Sequence, residues 1–341
     1  MRQRLFFLLL FFQSACAQQP ILISESGKGH FIRYEPVSFS NTFSLNLAPV
    51  LHIRSGDTVS TETIDASGHD KNGLRRQKGG NPLTGPFYID SCQAGDVLQI
   101  ILINIKLNRP YAYTTESFVS RSVPDSISRQ FKKPRLVKWM LDANKGVGWL
   151  DSPSVHYEHL QNFTIPLNPF LGCIGLAPSG KKNEILSFFQ GTFGGNMDFS
   201  GIRQSAVVYL PVFHDGAYFY IGDGHAAQGD GEIAGNALET SLDVVFTVKV
   251  IKKDFLQLTT PRVEDSTYIM SVGTAEKLDD ALKTATADLM EWLRKDYRLS
   301  IQEATQVLST SIEYRIAEIA DPNVIVVAMI KKELLKTLNN H

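Results

Sequence analysis

Residues 222–232 constrain the fold most strongly, because they place four ionisable side chains among four glycines, reading Gly-Asp-Gly-His-Ala-Ala-Gln-Gly-Asp-Gly-Glu. In an extended chain, side chains at i and i+2 point to the same face. The spacing therefore predicts two converging pairs, Asp223 with His225 and Asp230 with Glu232. Glycines at this density allow positive φ and close approach of a ligand. The stretch predicts a compact polar ion site, although an exposed Gly/Asp hairpin loop fits the same spacing.

The hydrophobic pattern predicts a mostly β protein of the β-rich α+β class, with an antiparallel or mixed β-sheet core. Residues 242–250 alternate cleanly between apolar and polar, as a half-buried strand does. Apolar residues then recur at helical spacing over 278–292 and 304–319, and a capping box precedes the second of these runs. A buried strand is expected at 324–330. The chain should therefore end in a helical αα-β element, which favours a packing or oligomer contact over a site.

The N-terminus has the pattern of a signal peptide. Two arginines precede an apolar run at residues 5–12, and small residues precede Gln18. We therefore expect a signal peptide at 1–17, cleaved before Gln18, and export to the periplasm or the medium. Cys16 leaves lipidation as a weaker alternative. The apolar run is too short to span a bilayer, and no later run predicts a transmembrane segment.

The mature chain divides into two predicted parts. Residues 18–265 form a β-rich catalytic domain, and residues 266–341 form a C-terminal α/β element packed on it. A chain of 341 residues with a formal net charge of −1 has no long basic stripe, so no nucleic-acid partner is expected. Cys92 and Cys173 remain after cleavage, and their apolar strand contexts favour buried free thiols over a disulfide.

Further polar residues stand beside predicted strands. Asn196 and Asp198 form another i, i+2 pair, and Asp65 ends a predicted strand at 58–64. Asp, His and Glu without Cys favour a hard or borderline divalent ion, with histidine and carboxylates suiting zinc and oxygen ligands alone suiting calcium. Such an ion makes hydrolysis at neutral pH feasible, and Glu232 is the candidate general base. Motifs for a serine nucleophile, a P-loop or a dinucleotide fold are missing.

Six motifs together make the chain resemble the acetamidase/formamidase family. The longest is the stretch at 222–232, which is specific to that family. The others lie at residues 81–89, 93–96, 172–178, 194–198 and 210–213.

The resemblance implies an amidase that hydrolyses small linear amides, such as formamide or acetamide, to a carboxylate and ammonia. It also implies a β-rich fold, a divalent metal that is zinc or calcium, and a homo-oligomer. The motif positions expected to line the site are Asp65, Asn196, Asp198, Asp223, His225 and Glu232. Of these, Asp65, Asp198, Asp223 and His225 are the predicted metal ligands. Glu232 would move the proton, and Asn196 or loop amides would hold the oxyanion, with His225 among the catalytic residues.

Two departures from the family pattern concern the choice of substrate. Phe193 stands where relatives carry a histidine, and the loop at 66–80 differs, with His69 and Asp70 as possible compensation. An exported member would also act on a different amide from a cytoplasmic one. Two alternatives stay open: a non-catalytic, metal-stabilised binding protein of the same fold, and a hydrolase of another amide-like bond.

Overall fold

The structure is a computed structural model that describes residues 21–23, 29–131, 133, 135–151, 157–180 and 183–338. The predicted signal peptide at 1–17 and its cleavage before Gln18 lie outside the described residues. No helix in the described ranges is long and apolar enough to cross a membrane.

Short strands make up most of the described chain. In chain order they are β1 (Ile21–Ile23), β2 (Phe31–Arg33), β3 (Thr42–Ser44), β4 (Leu51–Ile53), β5 (Thr58–Glu62), β6 (Leu83–Ile89), β7 (Val97–Leu107), β8 (Tyr111–Thr115), β9 (Leu136–Asp142), β10 (Val147–Leu150), β11 (Thr164–Pro166), β12 (Phe170–Gly175), β13 (Glu184–Leu186), β14 (Gln190–Gly191), β15 (Gly194–Asn196), β16 (Val207–Pro211), β17 (Phe219–His225), β18 (Glu239–Thr240), β19 (Leu242–Ile251), β20 (Arg262–Glu264), β21 (Tyr268–Ala275), β22 (Glu313–Glu318) and β23 (Val324–Lys331). The helices are α1 (Asp125–Ser128), α2 (Leu278–Asp296), α3 (Ile301–Ser311) and α4 (Lys332–Leu335), with a 3-10 turn at Glu158–Leu160.

Two large sheets contain almost all of these strands. One has the order β1-β2-β5-β19-β7-β16-β20-β21-β23-β22. The other has the order β11-β10-β9-β8-β18-β17-β12-β15-β14, and β6 joins it by pairing with β17 and β4. Most neighbours are antiparallel, whereas β2 with β5 and β4 with β6 are parallel. The predicted mostly β class with antiparallel and mixed sheets is confirmed.

The core lies where the two sheets face each other. The strand predicted from alternation at 242–250 is β19, whose apolar side chains are buried in turn along its length. Phe246 from this strand packs against Phe87 of β6 and Phe219 of β17, with ring centroids 5.4 and 5.2 Å apart. Edge-on aromatic contacts of this kind join the layers. The strand that holds the polar stretch is thereby fixed against a rigid core.

The C-terminal region differs from the prediction. α2 and the capping box at Ser300 are present as expected, but α3 ends at Ser311 and residues 313–318 form β22 instead of continuing the helix. The helical spacing there was misleading because β22 pairs along β23, and this tertiary pairing outweighs local propensity.

The C-terminal strands continue the first sheet. The predicted boundary at residue 265 falls between β20 and β21, which are antiparallel, hydrogen-bonded neighbours. β23 and β22 extend the same sheet beyond β21, and α2 packs on β21 and β23. The turn between β22 and β23 therefore belongs to the same sheet as the strands before residue 265.

Candidate metal centre and active site

β17 holds two of the predicted ligands. Asp223 and His225 lie at its end, and both are buried. The Nε2 atom of His225 lies 3.5 Å from Oδ1 of Asp223, so this i, i+2 pair converges as predicted. β12 and β18 flank the strand on its two edges. The pair is therefore held in the interior of a sheet rather than in an exposed loop.

Three further acids from other segments complete a cluster around His225. Its Nε2 atom lies 3.8 Å from Oδ1 of Asp198 and 3.4 Å from Oε2 of Glu239. A carboxylate oxygen of Glu232 also lies within 4.8 Å of ligand atoms of His225 and Glu239. Together they form two overlapping groups, Asp198–Asp223–His225 and His225–Glu232–Glu239, within which the ligand atoms all lie within 4.8 Å of one another.

The geometry of the cluster fits a divalent ion. The facing atoms Oδ1 of Asp198, Oδ1 of Asp223 and Oε2 of Glu239, like both ring nitrogens of His225, are buried without a hydrogen-bond partner among the described residues. Buried polar atoms are rarely left unpaired. Two ligands of a tetrahedral zinc ion lie about 3.4 Å apart, given bonds of 2.0–2.2 Å. The observed spacings are close to that value and too long for strong hydrogen bonds.

The electrostatics of the cluster lead to the same conclusion. Burial and then the charge of Glu232 raise the pKa of Asp198 well above its usual range, and burial likewise raises the pKa of Glu232. Burial raises the pKa of Glu239 to about 7. For His225 burial would lower the pKa, but the carboxylates of Glu239 and Asp223 outweigh it and raise the pKa. So many buried acids need a cation to ionise together.

Three of the four acids in this cluster have backbone angles that L-residues seldom adopt. The φ angles are 43° at Asp198, 53° at Asp223 and 47° at Glu232. Non-glycine residues with positive φ are uncommon, and such strain concentrates at functional sites, where the surrounding structure over-determines it. Their coincidence on the cluster indicates that the backbone is bent to aim these carboxylates inward.

Asn196 connects the cluster to its surroundings. Its Nδ2 atom donates to Oδ2 of Asp198 at 2.6 Å and to Oδ2 of Asp321 at 2.8 Å. Its Oδ1 atom accepts from Nδ2 of Asn81 at 3.0 Å and from the thiol of Cys173 at 2.8 Å. Both amide hydrogens are therefore engaged within the protein. The predicted oxyanion role does not agree with this arrangement, because no donor of Asn196 is left for a substrate.

The turn between β22 and β23 also reaches the site. Asp321 accepts the bond from Asn196, and burial raises the pKa of its carboxyl to about 6. Beside it Glu318 is fully buried and accepts from Nε2 of Gln190 at 2.8 Å. Nη2 of Arg121 donates to the carbonyl of Pro322 at 2.8 Å, and Nη1 to the carbonyl of Asp321. The C-terminal element, for which a packing or oligomer contact was favoured over a site, thus contributes to the polar centre.

Asp65 does not join the cluster, which corrects the prediction that it is a ligand. Its carboxylate forms a buried ion pair with Arg109 at 2.7 Å and accepts from the backbone NH of His69 at 2.8 Å. Arg109 in turn donates to the backbone carbonyl of Glu239 at 3.1 Å. Asp65 therefore supports the backbone of Glu239 through Arg109 and does not face the cluster.

The predicted pair of Asp230 and Glu232 also separates. Asp230 lies at the surface and forms an ion pair with Arg315. Glu232 is buried and lies in a group with His225, and its φ of 47° departs from the extended conformation that the prediction assumed. Glu232 also lines a cavity of about 370 Å³. It is thus the acid of the cluster that borders this space.

Other predicted positions lie beside the cluster or apart from it. Phe193, where a histidine was expected, packs against Phe43 with ring centroids 5.4 Å apart. His69 and Asp70 belong to neither ligand group; Asp70 binds Arg76 and backbone NH groups of its own loop. Both cysteines are free and buried, as expected.

Sequence reasoning missed Glu239 and Asp321. Glu239 begins β18, three residues ahead of β19. Asp321 begins an Asp-Pro turn ahead of a buried strand, which was interpreted only as a stop signal. Nothing local distinguishes either residue from an ordinary turn acid, since both reach the site through sheet pairing.

Comparison with known proteins finds similarity to one family over the C-terminal part of the chain. Residues 190–337 match the sequence model described as the Acetamidase/Formamidase family. A protein of Schizosaccharomyces pombe named "Putative formamidase" is 38% identical over 260 residues. That match covers 60% of this chain and 62% of the relative, so the chain spans less than two thirds of that protein's length.

Two solved structures share the fold over nearly the whole chain. An acetamidase of Bacillus halodurans superposes with a TM-score of 0.75 at 28% identity, covering 90% of this chain and 100% of that one. An acetamidase of Yersinia enterocolitica gives a TM-score of 0.77 at 29% identity, covering 91% and 94%. The similarity thus includes both large sheets and the C-terminal strands.

Proposed function

We propose that the chain is a member of the acetamidase/formamidase family and an amidase that hydrolyses linear amides to a carboxylate and ammonia. The match of residues 190–337 to that family's sequence model and the similarity to solved acetamidases support this proposal. One observation carries the proposal: a buried histidine among carboxylates with unpaired oxygens, opening through Glu232 onto a cavity. A polar centre of this kind beside a largely apolar pocket is the usual arrangement of an enzyme site.

We further propose that the amidase depends on a divalent metal, either zinc or calcium. Asp198, Asp223, His225 and Glu239 would hold the ion, with Glu232 adjacent. When bound, an ion there would polarise the amide carbonyl and make water a better nucleophile at neutral pH. The mixture of one imidazole with carboxylates suits zinc better than calcium, which favours oxygen ligands.

Glu232 is the residue placed to move protons. Burial raises the pKa of its carboxyl well above the usual range, and a raised carboxyl pKa is a common property of general acid–base residues. It would accept the proton of the attacking water and pass it to the departing nitrogen as the C–N bond breaks. The products are then one carboxylate and one ammonia for each amide and water consumed.

Asn196 and Asp65 act on the site through other residues in this proposal. Asn196 fixes the carboxylate of Asp198 and connects it to Asp321. Asp65 holds Arg109, which fixes the backbone of Glu239. Outer partners of this type orient the groups that face an ion.

The test is ammonia release by the purified protein from a panel of amides, before and after chelation and re-addition of one metal at a time. We expect chelation to abolish release and one metal to restore it. Tight metal binding without release from any amide would overturn the proposal and favour a metal-stabilised binding protein of the same fold.

Export and assembly are part of the proposal. We propose that residues 1–17 direct export and are removed before Gln18, since the arginines, the apolar run and the small residues match a signal peptide. We also propose a homo-oligomer. The N-terminal sequence of the protein recovered from the periplasm or medium tests the first, and light scattering after gel filtration tests the second.

A further inference from the structure

The cavity beside Glu232 has a distinct chemical character. It encloses about 370 Å³. Large apolar side chains contribute to its wall, among them Trp139, Ile165 and Leu238. Trp139 and Leu238 are themselves part of a buried apolar cluster, so this wall is rigid. We call this space the chamber: its wall is largely apolar, and Glu232 contributes a carboxyl group to it.

The volume exceeds what a small amide needs. Formamide and acetamide have three and four non-hydrogen atoms, and since one water occupies about 30 Å³ in the liquid, such a molecule fills on the order of 100 Å³. Pockets of about 300–1,000 Å³ hold much larger ligands. With acetamide bound, most of the chamber would hold water against apolar walls, which is unfavourable.

Two polar groups of the lining residues have unused hydrogen-bonding capacity. Oε1 of Gln228 and Nε1 of Trp139 are buried without a hydrogen-bond partner among the described residues. The Nε2 atom of Gln228 donates to the carbonyls of Asp198 and Ala317 at 2.6 and 3.1 Å, which fixes its amide. The lining therefore combines a wide apolar surface with a few fixed polar groups, as ligand pockets do.

We propose that the substrate is a primary amide whose acyl group is bulky and apolar, aromatic or branched, and that Trp139, Ile165 and Leu238 hold this group. The inference rests on the proposed function. Because only an amide with an unsubstituted nitrogen releases ammonia, the acyl group is the one part of the substrate that can fill the chamber. Specificity then follows from apolar burial that acetamide cannot provide.

The first experiment compares kcat/KM for acetamide, butyramide, hexanamide and phenylacetamide. We expect at least a tenfold rise from acetamide to phenylacetamide. Faster release from acetamide than from every larger amide would overturn the inference and leave the proposed function intact. N-benzylacetamide is the companion substrate, and preferential cleavage of it over phenylacetamide would also overturn the inference.

The second experiment narrows the chamber. Ala227 lies in its wall and is 9% exposed, so Ala227→Leu should lower the phenylacetamide-to-acetamide ratio of kcat/KM at least tenfold. Ala287→Leu makes the same change on an exposed face of α2 and should leave the ratio unchanged. If Ala227→Leu does not fold, Ile233→Trp replaces it, because Ile233 is 44% exposed at the chamber. An unchanged ratio in the folded variant would overturn the inference.

Calorimetric binding of phenylacetamide separates the two possible failures. Binding that Ala227→Leu weakens, without hydrolysis of any amide, would overturn the proposed function and support the ligand class. Hydrolysis of acetamide without binding of phenylacetamide would overturn the ligand class alone. The absence of both would overturn both.

Discussion

Gly172 lies so close to Asp198 that a Cβ atom at position 172 would come within 2.4 Å of Oδ1 of that carboxylate. The same Cβ would lie 2.9 Å from Oδ2 of Asp223 and 2.9 Å from Cε1 of His225. Gly172→Ala should therefore displace the ligands and reduce metal affinity at least about tenfold, in line with other losses of ligand support. Metal titration of the purified variant measures this.

Gly229→Ala is the matched control, because a Cβ there meets no atom within 4 Å. It should retain the metal content of the parent. Equal metal content in both variants would show that Gly172 does not shape the centre.

Asp223 and Asp230 belong to the same stretch but differ in surroundings. Asp223→Asn removes a charge that faces His225 at 3.5 Å, and should reduce both metal content and ammonia release severely. Asp230→Asn alters a surface ion pair with Arg315 and should change neither, since exposed pairs contribute about 0–1 kcal/mol. Metal analysis and the ammonia assay on both variants measure these two effects. Full metal content in Asp223→Asn would eliminate it as a ligand.

Asp321 offers a test of support from the C-terminal turn. Asp321→Ala removes the acceptor of Asn196 and should weaken metal binding about 10–100-fold, the usual cost of losing an outer partner. Asp321→Asn keeps an acceptor oxygen and should restore most of the affinity. If the two variants bind metal equally, the bond from Asn196 to Asp321 has no part in positioning.

The sequence predicted the β class and the convergence of Asp223 with His225 because both depend on local period. Alternation over β19 and the i, i+2 spacing in β17 do not need tertiary information. Glu232 was predicted to line the site as a partner of Asp230. It lies beside His225, but Asp230 pairs with Arg315 at the surface instead.

What sequence reasoning missed depends on strand pairing that local periodicity does not predict. Glu239 reaches His225 because β18 pairs with β17, and Asp321 reaches Asn196 because β22 pairs with β23. Asp65 was misassigned for a related reason: Arg109, in a region without a steady period, neutralises it. An acid at a strand end is equally compatible with an ion and with a buried arginine.

The buried acids predict how pH affects the metal-free protein. Burial, assisted by Asp321, raises the pKa of Glu318 from 4.5 to about 8, and burial raises that of Asp321 from 3.8 to about 6. The folded state then binds more protons than the unfolded chain between these values, so stability should fall as pH rises from about 4 to 8.

Thermal unfolding of chelated protein at pH 5 and pH 8 measures this fall. Glu318→Gln removes one of the protons and should reduce the decrease in Tm by at least about 1.5 °C, the shift that about 1 kcal/mol produces in a chain of this size. The same decrease in parent and variant would mean that Glu318 titrates normally.

The ion pair of Asp65 with Arg109 allows a test of whether Asp65 stabilises the fold or binds the metal. Both side chains are almost fully buried, at 3% and 0% exposure, so Asp65→Ala leaves a buried guanidinium unpaired and should cost about 3–5 kcal/mol of stability. A ligand would behave differently, since its loss would lower metal affinity while leaving the chelated protein nearly as stable as the chelated parent. Unfolding of both chelated proteins, together with metal titration, separates the two roles. The double variant Asp65→Leu with Arg109→Met removes both charges and should recover much of the lost stability. A chelated Asp65→Ala protein as stable as its parent, but unable to bind metal, would return Asp65 to the ligand set.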